Sequence, residues 1–394
     1  MNYRNMKKTG DTLSLLGYGC MRFPKKNRGI DETRTRAQIL SAFEQGVNYF
    51  DTAYLYSGSE KILGSILAEE GIRDKVMLAT KLPHILVKRP EDIASLFQKQ
   101  LDRLQTDYID YYLIHNIGSF ADWQRLKEMG IKEFVEKERD KGRIRHFGFS
   151  FHGNLIAFKQ LIDDYPWDFC QIQYNYLDEN FQAGTKGLEY AAKKGLGIII
   201  MEPLRGGTLG AKIPEPARKT LQKHIPERSP AEWALRWVFS HPQVQVVLSG
   251  MNEESHITEN IRIASNPDGY TLTKQECSAI DEVREIFKTR FKVPCTACTY
   301  CMPCPHGVDI PTCFAHYNSK SIQGGFMPHY MYIQATEGIT NGKPSKASLC
   351  KNCGACLKHC PQQIDIPRHL KEAAQTMEKP WLRYPVRIAL KVMK

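Results

Sequence analysis

The chain has 394 residues, of which 42% are hydrophobic and 25% charged, a composition typical of globular proteins with one large domain or two to three average ones. Its formal net charge is +11, but the basic residues are scattered and accompany no zinc-finger or RNP motif, so we expect no nucleic-acid partner. The sequence opens with no secretory signal, and no uncharged run approaches the roughly 18 apolar residues of a membrane span. We therefore expect a cytoplasmic protein without membrane association.

The first 250 residues alternate short β-branched or aromatic runs with longer segments of helical period. The runs predict eight strands, at 15–20, 47–51, 76–81, 109–115, 144–150, 169–174, 197–202 and 244–249. Eight strands alternating with helices predict an α/β protein with a (β/α)8 TIM barrel. An open doubly wound sheet is the alternative, but no G-x-G-x-x-G fingerprint follows an early strand.

Four polar residues lie where consecutive predicted strands end: Asp51, Tyr56, Lys81 and His115. Reactive side chains of such barrels occupy the C-terminal strand ends and the loops that follow. The set suits carbonyl reduction, with Tyr56 as proton donor and a nearby Lys81 lowering its pKa. Asp51 would hold Lys81 charged, and a neutral His115 would orient the carbonyl. Any one of these residues alone would more often be structural, and Asp51 and Lys81 could form a plain ion pair.

The motifs "FDTAYLYSGSE", "LATKLP" and "YYLIHNI" resemble those of the aldo-keto reductases, and the resemblance extends over roughly residues 8 to 290. It implies that the same four residues form a catalytic tetrad. It also implies a nicotinamide dinucleotide bound in extended form across the barrel mouth, and hydride transfer between NAD(P)H and a carbonyl or alcohol substrate. NADP(H) is the family default, and NADH is possible.

The resemblance further implies which residues contact the coenzyme. Ser150 and Gln171 would hydrogen-bond the carboxamide of the nicotinamide. The loop that runs past the pyrophosphate contributes Pro203, Leu204, Gly206 and Gly207. The segment "LSGMNEESHITEN" is similar to the adenosine-phosphate segment and contributes Ser249, Gly250, Asn252, His256, Glu259 and Asn260, the last two at the adenine. Many members carry Lys or Arg for a 2'-phosphate where this chain has Gly250 to Asn252.

Nine of the twelve cysteines lie between Cys295 and Cys360. In a reducing compartment this crowding favours metal ligation over disulfides. The stretch "CKNCGACLKHCP" matches the C-x2-C-x2-C-x3-C-P run that ligates 4Fe-4S clusters. The earlier stretch "CTACTYCMPCP" begins in the same way but has one residue fewer before its last cysteine.

Two such runs predict two 4Fe-4S clusters, because in two-cluster ferredoxins the fourth cysteine of each run ligates the cluster of the other. One cluster would use Cys295, Cys298, Cys301 and Cys360. The second would use Cys350, Cys353, Cys356 and Cys304. Structural zinc is the alternative for paired C-x2-C units, although eight cysteines exceed what one or two zinc ions need.

The long separation of the runs resembles the helical ferredoxin domains of multi-subunit redox enzymes, so we expect a small, mainly α-helical ferredoxin-like domain after the barrel. The predicted domains are the barrel at 1–290, the 4Fe-4S domain at 291–378 and a basic amphipathic tail at 379–394.

Two functions remain open. A hydride carries two electrons and a 4Fe-4S cluster moves one, and no flavin motif links the two processes. In the first function, the chain is a reductase whose clusters serve structure or electron transfer. In the second, it is a redox-sensing or electron-transfer protein whose barrel is a docking or regulatory module. The charge of +11 favours an acidic redox partner such as ferredoxin or flavodoxin.

Overall fold

The computed structural model describes residues 1–27, 29–211, 213–295, 301–338, 343–360, 363–379 and 381. These residues form two compact units. The first comprises Met1–Ala211 and Pro226–Glu276, and the second comprises the described parts of Lys212–Ile225 and Cys277–Lys394. Within the described ranges, no α-helix combines the length and the apolar character that a bilayer span requires.

The strands, in chain order, are β1 (Tyr3–Asn5), β2 (Thr12–Ser14), β3 (Leu16–Gly19), β4 (Lys25–Lys26), β5 (Gly29–Ile30), β6 (Tyr49–Asp51), β7 (Met77–Leu82), β8 (Ile109–Ile117), β9 (Ile144–Phe151), β10 (Phe169–Gln173), β11 (Gly197–Met201) and β12 (Val246–Ser249). The strands β3 and β6 to β12 pair in parallel, each with the next, and β12 pairs with β3 to close a barrel. The predicted (β/α)8 barrel is therefore confirmed, and each predicted strand overlaps one barrel strand.

The α-helices are α1 (Glu32–Glu44), α2 (Ser59–Glu69), α3 (Pro90–Leu104), α4 (Phe120–Glu128), α5 (Ile131–Asp140), α6 (Leu155–Asp164), α7 (Gly184–Lys193), α8 (Glu215–His224), α9 (Pro230–Phe239), α10 (Glu254–Ala264), α11 (Lys274–Lys288), α12 (Ile310–Gln323), α13 (Met327–Thr336) and α14 (Ile366–Met377). Several begin at a residue whose side chain accepts a backbone N–H of the first turn, as Asp31 does for α1 and Asn154 for α6.

The two antiparallel hairpins, β1–β2 and β4–β5, were not among the predicted strands. Their strands have only two or three residues each, and most of these residues are polar. Neither hairpin therefore has the apolar run on which the strand prediction depends.

Aromatic side chains fill the interior of the barrel. Tyr49, Tyr111 and Phe169 are fully buried, and the Tyr111 ring centroid lies 5.2 Å from that of Tyr49 and 4.9 Å from that of Phe169. Such edge-to-face pairs add to the stabilisation that burial provides. Gly148 of β9 makes room for this packing, because a Cβ there would lie 2.5 Å from the Phe169 carbonyl oxygen and 2.8 Å from its ring.

The second unit is mainly helical, as predicted, and its core joins the helices to the cysteine segments. Its buried residues include Val293, Val308, Phe314, Tyr332 and Leu370. Several of the cluster cysteines pack against this core while remaining partly exposed.

A short repeat follows the last cysteine of each run. Asp309 lies five residues after Cys304, and Asp365 lies five residues after Cys360. Each aspartate begins a helix, α12 or α14, by accepting the backbone N–H three residues on, and each is followed by Ile-Pro. Cys304 and Cys360 therefore occupy equivalent positions in two similar structural segments.

Candidate active site

A buried ion pair lies at the C-terminal ends of β6 and β7. The Nζ atom of Lys81 donates hydrogen bonds to Asp51 Oδ1 at 2.6 Å and to the Thr52 carbonyl oxygen at 2.7 Å. The side chains of Lys81 and Asp51 are 1% and 4% exposed. Burial raises the pKa of Asp51 and Lys81 opposes that shift, whereas the pKa of Lys81 is raised despite burial because Asp51 and Tyr56 favour its charged form. Lys81 is therefore a fixed cation.

Tyr56 and His115 complete a cluster around this cation. The Nζ atom of Lys81 lies 5.2 Å from the centroid of the Tyr56 ring. The ring centroids of Tyr56 and His115 are 5.8 Å apart, with an interplanar angle of 87°. The structure thus brings together the four residues that the strand-end pattern selected.

The environment keeps Tyr56 protonated. Burial raises its pKa above the ordinary value of 10.0, and although Lys81 acts to lower the pKa, it does not offset burial. The expectation that Lys81 would bring the pKa of Tyr56 below its usual value is therefore wrong in its net direction. The phenol therefore carries its proton at neutral pH.

His115 is held neutral. Burial lowers its pKa well below 6.5, and Lys81, His84 and His152 lower it further. His115 lies in an irregular part of β8, because the pairing with β9 shifts between Ile114 and Ile117. Such irregularities redirect side chains near active sites. The strand also continues two residues beyond the predicted end at His115.

Several residues expected at the coenzyme lie at the same face of the barrel. Gln171 belongs to β10 and is 2% exposed, and its Oε1 atom is buried without a hydrogen-bond partner in the described chain. Ser150 near the end of β9 accepts a hydrogen bond from the Asn116 backbone N–H at 2.7 Å. Asn116 has a left-handed backbone, with φ of 54°, a conformation that asparagine adopts more readily than most other non-glycine residues.

The predicted pyrophosphate loop, 203–207, follows β11 directly. Gly206 and Gly207 have φ values of 65° and 91°, which favour glycine, and a Cβ at Gly207 would meet no atom within 4 Å. Arg205 in the same loop is fixed by Asp178, with its Nε atom 2.9 Å from Asp178 Oδ2. The loop therefore offers an open stretch of backbone beside a held guanidinium.

The predicted adenosine segment follows β12 and continues into α10. Asn260 donates to Ser249 Oγ at 3.0 Å, so these two predicted contacts lie together in the structure. Glu253 and Glu254 at the start of α10 bind Arg34 of α1, whose Nε atom lies 2.7 Å from Glu254 Oε1. The remaining residues of the segment line the loop after β12 and the first turns of α10: Gly250, Asn252, His256 and Glu259.

Three residues near this face were missed by the sequence analysis. His84 and His152 both act on His115, and they follow the ends of β7 and β9 by two residues and by one residue. The strand-end rule that selected the tetrad would also have selected them. Arg22, on the 3-10 turn after β3, lies beside Gly206 and Gly250, which belong to the loops predicted to contact the coenzyme.

Seven of the eight predicted cluster cysteines are described, and Cys298 lies outside the described residues. Burial raises the pKa of Cys356, and the other thiols that act on it are Cys350, Cys304 and Cys353. Cys304 of the first run is thus a neighbour of the second run. The backbone N–H of Asn352 points to Cys350 Sγ at 3.4 Å. Among the described residues, no three His, Cys, Asp or Glu side chains are arranged to hold a single metal ion.

The C-terminal face of the parallel barrel carries a buried lysine–aspartate pair, a phenol and an imidazole. This arrangement is typical of an oxidoreductase, and comparison with known proteins gives the family. The aldo/keto reductase family pattern matches residues 15–285, and a 4Fe-4S dicluster domain pattern matches residues 294–364. The chain belongs to the aldo/keto reductase family.

Individual relatives are distant, and each covers only part of this chain. L-galactose dehydrogenase of Arabidopsis thaliana is 25% identical over 72% of this chain and 95% of its own length. The uncharacterized oxidoreductase YqkF of Bacillus subtilis is 27% identical over 71% of this chain and 95% of its own length. The holo form of aldo-keto reductase AKR11C1 from Bacillus halodurans superimposes with a TM-score of 0.60 at 26% identity, covering 72% of this chain and 96% of that one.

Proposed function

We propose that the barrel transfers hydride between NAD(P)H and a carbonyl or alcohol substrate. The observation that carries this proposal is the position of Lys81, held between Asp51 Oδ1 and the Thr52 carbonyl and facing the Tyr56 ring. When bound, the nicotinamide would supply the hydride. The chain supplies the proton, and it supplies the positive charge that stabilises the phenolate left behind.

In the direction of reduction, Tyr56 donates its phenolic proton to the carbonyl oxygen as negative charge develops there. Lys81 stabilises the phenolate left behind, and Asp51 keeps that lysine charged and in place. His115, neutral at physiological pH, orients the carbonyl through a ring nitrogen. In the direction of oxidation the same phenolate accepts the proton of the alcohol.

The residues at the barrel mouth fit a nicotinamide dinucleotide. The unpartnered Oε1 atom of Gln171 is a buried acceptor for which the carboxamide N–H is a suitable donor. The open glycines of the 203–207 loop leave backbone exposed for a pyrophosphate. The set suits either NADH or NADPH, because Arg34 at the adenosine segment is neutralised by Glu253 and Glu254.

We propose further that the eight cysteines hold two 4Fe-4S clusters, which when bound would exchange single electrons. Two observations support the exchange of fourth ligands between the runs. Cys304 lies near Cys356, and equivalent helices begin after Cys304 and Cys360. Reduced cysteines of this number suit the cytoplasm.

An acidic redox protein is the partner that the second run favours. Between Glu337 and Asp365 the sequence has four lysines and no acid. Cys353 is exposed, and so are Lys351 and Lys358 of the same sequence run, neither of which forms an ion pair with any described residue. Leu357 between them is 44% exposed. A run that exposes two lysines, a cysteine and an apolar side chain suits a small acidic ferredoxin or flavodoxin.

The alternative, in which the barrel only docks or regulates, does not account for the cost of burying Lys81 and Asp51 at the barrel mouth. An experiment on protein purified without oxygen distinguishes the enzyme from the docking or regulatory module. Oxidation of NADH and NADPH is followed with aldehydes, ketones and sugars, the last because one relative is named a galactose dehydrogenase.

Tyr56→Phe should reduce turnover by about 10² to 10⁴ while leaving coenzyme binding unchanged. Tyr54→Phe, on the same loop but outside the tetrad, is the matched control. If the unaltered chain oxidises neither coenzyme with any carbonyl, or if Tyr56→Phe turns over normally, the proposed chemistry is wrong.

A further inference from the structure

Glu60 is a buried carboxylate that the proposed reaction does not use. It lies in the first turn of α2, four residues after Tyr56, and is 2% exposed. Its Oε1 atom accepts hydrogen bonds from Thr80 Oγ1 at 2.7 Å and from Gln100 Nε2 at 2.8 Å. Its Oε2 atom accepts one from Arg103 Nη1 at 3.2 Å. Burial raises the pKa of Glu60, and all three donors oppose that rise.

The contacts of Oε1 lead to the backbone of Lys81. Gln100 Nε2, which donates to Glu60, also lies 3.1 Å from the Lys81 carbonyl oxygen and 3.0 Å from Thr80 Oγ1. The other end of this amide is fixed as well, because Gln100 Oε1 accepts from the Tyr112 hydroxyl at 3.0 Å. Thr80 directly precedes Lys81 in β7. Lys81 is therefore held at its backbone as well as at its ammonium group.

The contact of Oε2 leads to the loop that carries Tyr56. The guanidinium of Arg103 lies 4.0 Å from the centroid of the Tyr54 ring, and its Nη1 atom lies 3.5 Å from the Tyr54 carbonyl oxygen. Tyr54 and Tyr56 belong to one turn, in which the Tyr56 backbone N–H donates to the Ala53 carbonyl oxygen at 3.0 Å. Glu60 thus connects the end of β7 with this turn.

We infer that Glu60 is a positioning residue, which sets the separation between Lys81 and Tyr56 for proton transfer. The inference rests on the proposed hydride chemistry, in which Tyr56 donates the proton and Lys81 stabilises the phenolate. The Nζ atom of Lys81 lies 5.2 Å from the centroid of the Tyr56 ring. Because the attraction between an ammonium group and a phenolate weakens with distance, a looser arrangement would raise the pKa of Tyr56 further and weaken it as a proton donor. Loss of Glu60 should therefore lower kcat and leave coenzyme binding unchanged.

The test compares variants that break this connection at different places. In Glu60→Gln the amide oxygen can still accept from Thr80 and Gln100, but the NH2 group then faces Arg103, so only the link through Oε2 is lost. Glu60→Ala loses both links. Gln100→Leu keeps Glu60 but removes the donor to the Lys81 carbonyl oxygen.

Steady-state kcat and KM are measured for carbonyl reduction and for alcohol oxidation, the latter over a range of pH. We expect Glu60→Ala to lower kcat about 10- to 100-fold in both directions, with the KM for the carbonyl within about twofold of that of the unaltered chain. Glu60→Gln and Gln100→Leu should each lose less. In all three variants, the rise of alcohol oxidation with pH should move to higher pH, because Lys81 lowers the pKa of Tyr56 less effectively.

Asp110→Asn is the matched control for a buried carboxylate whose role is structural. Asp110 is fully buried at the N-terminal end of β8, and its oxygens lie 2.9 Å from Arg73 Nη2 and 2.7 Å from Arg145 Nη1. This variant should be easier to unfold with denaturant, as Glu60→Gln should be, but its kcat and pH profile should be unchanged. An equal displacement of the pH profile in Asp110→Asn and Glu60→Gln would overturn the inference, because it would follow from lost stability alone.

A normal kcat and an unaltered pH profile in folded Glu60→Ala would overturn the inference and leave the proposed function intact. If Glu60→Ala does not fold, Glu60→Gln and Gln100→Leu decide the matter, and normal values in both would overturn it. If the unaltered chain oxidises neither NADH nor NADPH with any carbonyl, the proposed function fails and the inference fails with it.

Discussion

The Nζ atom of Lys81 lies 2.6 Å from Asp51 Oδ1, and both side chains are almost completely buried. An ion pair of this kind contributes little to stability as a whole, since desolvation of two charges offsets their attraction. Removing one partner is costly, because the other charge then stays buried without compensation. If the pair serves the proposed chemistry, two consequences can be measured separately.

Asp51→Asn should lower the free energy of unfolding by about 3 to 5 kcal/mol and reduce carbonyl turnover at least about 10²-fold, because Lys81 loses both its counter-charge and its fixed position. Asp51→Asn combined with Lys81→Met should regain most of the stability and none of the turnover. Stability is read from denaturant unfolding, and turnover from coenzyme oxidation.

Glu215→Gln removes a carboxylate from the exposed pair with Arg218 and serves as the control, and we expect no measurable change in the free energy of unfolding. A double variant as unstable as Asp51→Asn alone would contradict the account of the pair.

The tetrad was predictable because strand ends of a parallel barrel meet at one face, so that order along the chain is enough to bring Asp51, Lys81 and His115 together. The net direction of the pKa shift of Tyr56 was not predictable in the same way, since it depends on how deeply the ring is buried. The position of Arg22 was missed because its neighbours, Gly206 and Gly250, lie more than 180 residues away in the sequence. The repeat of Asp309 and Asp365 was visible in the sequence.

The pH dependence of turnover should report the protonation of Tyr56. Carbonyl reduction requires the neutral phenol, so its rate should stay constant as the pH rises and should fall only above the pKa of Tyr56, which burial raises above 10.0. Alcohol oxidation requires the phenolate, so its rate should rise with pH over the same range. Neither profile should break near pH 6.5, because His115 stays neutral. Steady-state rates in both directions measure this, and a fall in the reduction rate well below pH 10 would contradict it.

Coenzyme preference should respond to the carboxylates that neutralise Arg34. The side chain of Arg34 binds Glu253 and Glu254, and it holds the pKa of Glu254 at about 2. Glu254→Gln removes one of these charges beside the adenosine segment, so NADPH should bind about two- to fivefold more tightly at low salt while NADH is unaffected. Titration of both coenzymes measures the ratio.

The matched control is Glu70→Gln, since Arg36 is bound by Glu69 and Glu70 in the same manner elsewhere on the surface. An equal change for NADH and NADPH on Glu254→Gln would show that Arg34 does not lie near the 2'-position.

The assignment of Cys304 to the cluster of the later run can be tested by iron content. If two 4Fe-4S clusters are present, Cys304→Ser and Cys353→Ser should each lower iron from about eight to about four per chain. Because both cysteines would then serve one cluster, the double variant should lose no more iron than either single variant. Cys304→Ser combined with Cys360→Ser should lose nearly all of it, and Cys277→Ser, at an exposed thiol outside both runs, should lose none. Nearly complete loss in the Cys304/Cys353 double variant would instead assign Cys304 to its own run, and the neighbourhood of Cys304 and Cys356 would then reflect packing alone.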